Sequence, residues 1–149
     1  MMAELEELYQ EVILDHNKSP RNFRVIENAD RKAEGFNPLC GDHVTVYLRL
    51  RDGLIEDISF QGSGCAISKA SASIMTAELK GKKDSDAEEL FDKVHKMLTG
   101  DGVDGGQSLG KLTVLSGVSK FPARVKCASL AWHTMNSALK GGSEVASTE

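Results

Sequence analysis

The chain has 149 residues, 40% of them hydrophobic, enough to bury about two thirds of its unfolded surface in one core and too few for two ordinary domains. Its 18 Lys and Arg against 22 Asp and Glu give a net charge of −4, which excludes the basic footprint of a nucleic-acid binder. No apolar run approaches a membrane span, and the acidic start with Glu4, Glu6, Glu7 and Glu11 fits neither a signal nor a transit peptide. We therefore expect a cytoplasmic protein with reduced thiols and no membrane partner. Its three cysteines, an odd number, then read as free thiols or metal ligands rather than a disulfide framework.

In chain order, Leu5, Leu8, Tyr9, Val12 and Ile13 form a stripe at helical spacing, closed by the polar stretch Asp15 to Ser19 and Pro20. From Arg21 to Gly35 the periodicity is weak, and the segment is read as extended or loop. Val44, Val46, Leu48 and Leu50 alternate with Thr45, Tyr47 and Arg49, the period of a half-buried strand, and Asp52-Gly53 is a hairpin signal. Leu54, Ile58 and Phe60 are expected on one face of the return strand, although Glu56 shares their parity and Ile55 does not.

After Gln61-Gly62-Ser63-Gly64 the residues become small and helix-compatible, so a helix is predicted from Cys65 to Leu79 with Gly81 as its C-cap. Ser85 and Glu88 make a capping box, and Ala87, Leu90, Phe91, Val94, Met97 and Leu98 form an apolar helical face ending before Gly100. Thr99 to Gly106 reads as a loop and Leu109 to Gly117 as a short helix. Pro122 suits the first turn of a last helix in which Val125, Ala128, Trp132, Met135 and Leu139 repeat at steps of three and four. The fold class is α+β: a small antiparallel sheet of about three strands with helices on one face. Residues 1–140 are expected to form one domain, and 141–149 a disordered polar tail.

Gly100-Asp101-Gly102-Val103-Asp104-Gly105 matches GxGxxG, but a dinucleotide fingerprint follows a strand and opens a helix, whereas this one follows a helix. Its acidic residues also lack the terminal Glu of a calcium loop. His95 and His133 sit on predicted helices and are read as solvent-facing or structural; His16 could be a ligand or base, and His43, just after Cys40-Gly41-Asp42, is an alternative ligand.

The cysteines carry more chemistry. Cys40-Gly41-Asp42 places two candidate ligands around a glycine in a loop before a strand. Cys65 lies at a helix start, where the dipole and free N–H groups favour a thiolate. Cys127 follows Lys126 and Arg124, two cations with the same effect. From these features alone, metal ligation and ordinary burial of three small side chains are both open, because single cysteines far apart are less specific than paired CxxC motifs.

Three stretches, Asn37 to Asp42, Phe60 to Ser71 and Lys120 to Cys127, resemble the U-type iron–sulfur scaffold family (NifU N-terminal, IscU-like), with a likeness running from about Leu8 to Leu139. Lys126 before the third cysteine, where IscU-type chains carry His, and an extra segment around Gly100 to Lys111 resemble the SufU branch. Phe121 to Val125 departs from the chaperone-binding motif of IscU. The resemblance implies a zinc site of Cys40, Asp42, Cys65 and Cys127, with Fe2+ or a [2Fe–2S] cluster as alternative occupants of the same ligands. It also implies a SufS-like cysteine desulfurase as partner and a Suf-type scaffold or apo-proteins downstream. Cys40, on a loop, is the expected persulfide acceptor and Lys126 its electrostatic guide. The expected function is that of a zinc-bound, sulfurtransferase-like acceptor of persulfide sulfur; the alternatives are a scaffold for [2Fe–2S] assembly and a zinc-stabilised interaction module.

Overall fold

The hairpin anticipated around Asp52-Gly53 forms and makes up one side of the sheet. In the computed structural model, which describes residues 2–38, 41–99, 115, 118, 122–141 and 146–147, helix α1 (Met2–Lys18) precedes strands β1 (Arg31–Asn37), β2 (Asp42–Arg51) and β3 (Leu54–Ser63). Helices α2 (Ala66–Leu79), α3 (Asp84–Thr99) and α4 (Pro122–Leu139) follow, and a short β4 (Ala146–Ser147) comes last. The three longer strands are antiparallel, in the order β3-β2-β1, and β4 lies parallel beside β1. Ala146–Ser147 thus pairs with Gly35–Phe36 inside the tail expected to be disordered.

The apolar face of β2 forms as predicted over Val44, Val46 and Leu48, which are buried, whereas Leu50 is half-buried and Thr45 on the opposite parity is buried as well; Phe60 pairs with Val46 and Ile58 with Leu48. The return strand differs at its start. The register shifts between Arg49 and Leu50, so that Asp57 faces Arg49 while Ile55 faces Leu50; Glu56 is the extra residue of a bulge. The shift turns Ile55 into the core at 0% exposure and leaves Leu54, expected inside, 41% exposed.

The sequence between Arg31 and Gly35, read as extended or loop, is a full strand. Its inward positions are Ala33, Gly35 and Asn37, two small residues and an amide, which carry no hydrophobic period. The reason for their size is the helix beneath. A Cβ on Gly35 would collide with the Thr134 hydroxyl of α4, so close helix-to-sheet packing requires glycine there.

Two helices meet the long strands directly, α4 on β1 and β2 and α2 on β3. α4 packs against β1, β2, α2 and α3, and α1 packs on α2. The burial of α4 is nearly continuous from Cys127 to Ala138, with Trp132 and Met135 at the core, so its surroundings rather than one stripe define its position. α2 is capped by Cys65 and ends at Leu79, with Gly81 at φ 86°. α3 begins at Asp84, one residue before the predicted Ser85 cap, and the Asp84 carboxylate accepts the Ser85 N–H at 2.7 Å. On α3, Ala87, Val94 and Leu98 are buried as the pattern requires. The loop predicted at Thr99–Gly106 and the short helix at Leu109–Gly117 fall, apart from Thr99 and Leu115, outside the described residues.

Candidate metal centre

β2 begins with Asp42 on the buried face, and the chain leaving β3 reaches Cys65 through Gly64. The Asp42 carboxylate is fully buried, and its Oδ1 accepts the Cys65 N–H at 2.8 Å. Gly64 allows this approach: a Cβ on it would overlap Asp42 Oδ1 and stand 3.0 Å from Cγ and 3.1 Å from Cβ. Cys65 in turn caps α2, its Sγ accepting the Ser68 N–H at 3.4 Å. This holds the thiol where the first N–H groups of the helix stabilise negative charge.

Cys127 comes from α4, wholly buried. Asp42, Cys65 and Cys127, separated by up to 85 positions in sequence, each bring one donor atom so that all lie within 4.8 Å of one another. Donors that share one cation at about 2.0–2.3 Å stand no more than about 4.6 Å apart, so this triangle is close to ligating size. Three of the four sequence-predicted ligands therefore converge. The fourth, Cys40, lies outside the described residues, in the connection between Asn37 and Asp42.

A cation stands beside the two sulfurs. Arg124 lies three residues before Cys127 and thus on the same face of α4. The Cys65 sulfur, followed by hydrogen bonds to Cys127 and Cys65, holds its guanidinium above its ordinary pKa. Lys126, the residue singled out from sequence, is half-buried immediately before Cys127; the cation against the two sulfurs is Arg124. One further residue went unassigned by sequence reasoning. Asn37, fully buried, donates from Nδ2 to Asp42 Oδ2 at 3.2 Å and to Cys127 Sγ at 3.6 Å. Its sequence signal was its place at the head of the Asn37 to Asp42 stretch, two residues beyond the segment read as extended or loop.

The histidines resolve by placement. His43 alternates with Asp42 along β2, so it points to the other face of the sheet, where it is exposed and 3.7 Å from Glu34. That separates it from the donor set. His16 is buried, with Nδ1 2.7 Å from the Ser73 hydroxyl, and ties α1 to α2. His95 and His133 are neighbours across α3 and α4, their ring centroids 5.6 Å apart beside Phe91. Burial, and then His95, hold the His133 imidazole below its ordinary pKa.

The NifU-like N terminal domain family matches residues 8–140. The zinc-dependent sulfurtransferase SufU of Bacillus subtilis is 43% identical over 133 residues, covering 89% of this chain and 90% of the relative. The iron–sulfur cluster assembly scaffold protein IscU of Thermotoga maritima is 40% identical over 133 residues, covering 89% and 93%. Among solved structures, a putative iron–sulfur cluster assembly scaffold protein for the SUF system from Fervidobacterium islandicum superimposes with a TM-score of 0.82 at 38% identity, over 87% of this chain and 94% of that one.

Proposed function

The chain belongs to the NifU-like N-terminal domain family, and from that premise we propose that it serves iron–sulfur cluster assembly as a zinc-bound acceptor of sulfur from a cysteine desulfurase. The observation that carries this reading is the convergence of Asp42, Cys65 and Cys127 within 4.8 Å beside one guanidinium. Two thiolates and a carboxylate, completed by Cys40 two residues before Asp42, match the ligand types and number that Zn(II) prefers. Bound zinc would keep these thiols deprotonated and join the β1–β2 connection to two helices.

Acceptance of sulfur is thiolate attack on the outer sulfur of the desulfurase persulfide. A new S–S bond forms on the acceptor as the old one breaks, and the desulfurase retains its own sulfur as a thiolate. Cys65 caps α2 and Cys127 is buried within α4, so changing partner at either disturbs a helix. Cys40 belongs to a strand-to-strand connection and is the acceptor. Lys126 and Arg124 supply positive charge for the incoming persulfide. The partner is SufS-like, the sulfur passes to a Suf-type scaffold or apo-proteins, and the setting is the cytoplasm; no helix among the described residues is long and apolar enough to cross a membrane.

The name of the Thermotoga maritima relative, a cluster assembly scaffold, favours a second reading in which a [2Fe–2S] cluster is built on the same four residues. Metal analysis and the visible spectrum of protein as isolated decide between them. One zinc in a colourless protein is expected; iron and sulfide in a coloured one would move the assignment to the scaffold reading.

A further inference from the structure

Asn37 ends β1 and pairs with Asp42 at the first register position of the β1–β2 connection. Its carbonyl accepts the Gly41 N–H at 2.9 Å, closing the short connection that contains Cys40. Its side chain is fully buried among the donor residues, with Nδ2 3.2 Å from Asp42 Oδ2 and 3.6 Å from Cys127 Sγ. One amide nitrogen carries two N–H donors, enough to serve both neighbours. An inward strand position ordinarily takes an apolar residue, and an amide placed there is costly unless its hydrogen bonds are made. Both of these bonds go to members of the donor set.

A hydrogen bond to a thiolate withdraws charge from sulfur, which weakens it as a nucleophile, and a donor to a carboxylate fixes its orientation. Resting on the metal-site reading above, we propose that Asn37 is a positioning residue that orients Asp42 and damps the nucleophilicity of Cys127, so that Cys127 remains a ligand while Cys40 takes sulfur. The oxygen of Asp42 that Asn37 does not hold is held by the Cys65 N–H at 2.8 Å. Asn37 thus supplies the second of two constraints on that carboxylate, and it links the carboxylate to the sulfur of α4.

The test uses full-length protein with Co(II) in place of zinc, comparing wild type with Asn37→Leu, which keeps similar volume without donors, and Asn37→Gln, which keeps the amide. In Asn37→Leu the sulfur-to-cobalt charge-transfer band should move to lower energy, because the sulfur lone pair is no longer stabilised. Zinc release to a chelator should accelerate about 10- to 100-fold, the usual effect of losing a residue that orients a ligand. After reaction with a cysteine desulfurase and free cysteine, persulfide should appear on Cys127 as well as Cys40. Asn37→Gln should return the band toward its wild-type position. Emission of Trp132, the single tryptophan and 1% exposed, reports whether each metal-free variant is folded. Asn37→Ser, too short to reach both groups, carries the same comparison if leucine disrupts the strand end. Unchanged band energy and release rate in a folded variant lacking the amide overturn this inference alone. Wild-type protein that binds no cobalt overturns the metal-site reading and this inference together.

Discussion

Adding one methyl group at Gly64 is expected to disable the metal centre while leaving the fold intact. A Cβ there overlaps Asp42 Oδ1 and crowds the rest of the side chain at 3.0 and 3.1 Å, so Asp42 must turn as a whole. It cannot do so freely, being fully buried with Oδ1 bonded to the Cys65 N–H at 2.8 Å and Oδ2 to Asn37 at 3.2 Å. Losing one such hydrogen bond to a charged group costs about 1.5–3 kcal/mol, which corresponds to about ten- to hundredfold in zinc affinity if it is lost from the bound state. Gly64 is not among the glycines with positive φ, so alanine adds no backbone strain of its own. Gly41→Ala is the contrasting control: φ is 72° and an added Cβ meets nothing within 4 Å, so its penalty is backbone strain of about 1–2 kcal/mol without a collision at the carboxylate. Competition titration against a chromophoric chelator measures affinity, and Trp132 emission reports the fold. Zinc affinity in Gly64→Ala within twofold of wild type would refute the packing argument.

Stripping the metal should lower the thermal midpoint, since a ligand at 1,000 times its Kd adds about 4 kcal/mol, on the order of 10 °C for a chain of this size; an unchanged midpoint after chelation would show that the site does not couple to folding. Cys40→Ser should abolish stimulation of a desulfurase, whereas Cys65→Ser and Cys127→Ser should lose it in proportion to lost metal; peptide mass spectrometry placing the wild-type persulfide mainly on Cys127 would overturn the assignment of Cys40. The His133 imidazole is held below its ordinary pKa by burial and by His95, so the unfolded chain binds the proton more readily than the folded one. Stability from this residue is complete above about pH 6.5, the unfolded value, and falls as pH drops from there toward the lower folded pKa. His133→Gln should flatten that part of the acid limb in pH-dependent urea unfolding, and an identical slope in the variant would assign the limb to other groups.

Local chemistry alone specified much of this protein. The apolar face from Val44 to Leu48, the Asp52-Gly53 turn and the helical face from Ala87 to Leu98 each carry their own local signal, and each formed where the pattern put it. The cysteine motifs were equally legible, because each is a contiguous run of residues with its own glycines. What the sequence could not carry is whatever depends on a partner distant in the chain. β1 was hidden because its inward residues are chosen by the close approach of α4, with Gly35 against Thr134, and not by hydrophobicity. Ile55 replaced Leu54 in the core because a bulge reset the register of the hairpin. The donor triangle exists only once β2, the cap of α2 and the face of α4 are packed together, and that packing also selects Arg124 as the cation against the sulfurs and turns the Asn37 amide onto two of the donors. Hydrophobic period reports which face of an element is buried, whereas distances between side chains from different elements follow from packing, which no single segment encodes.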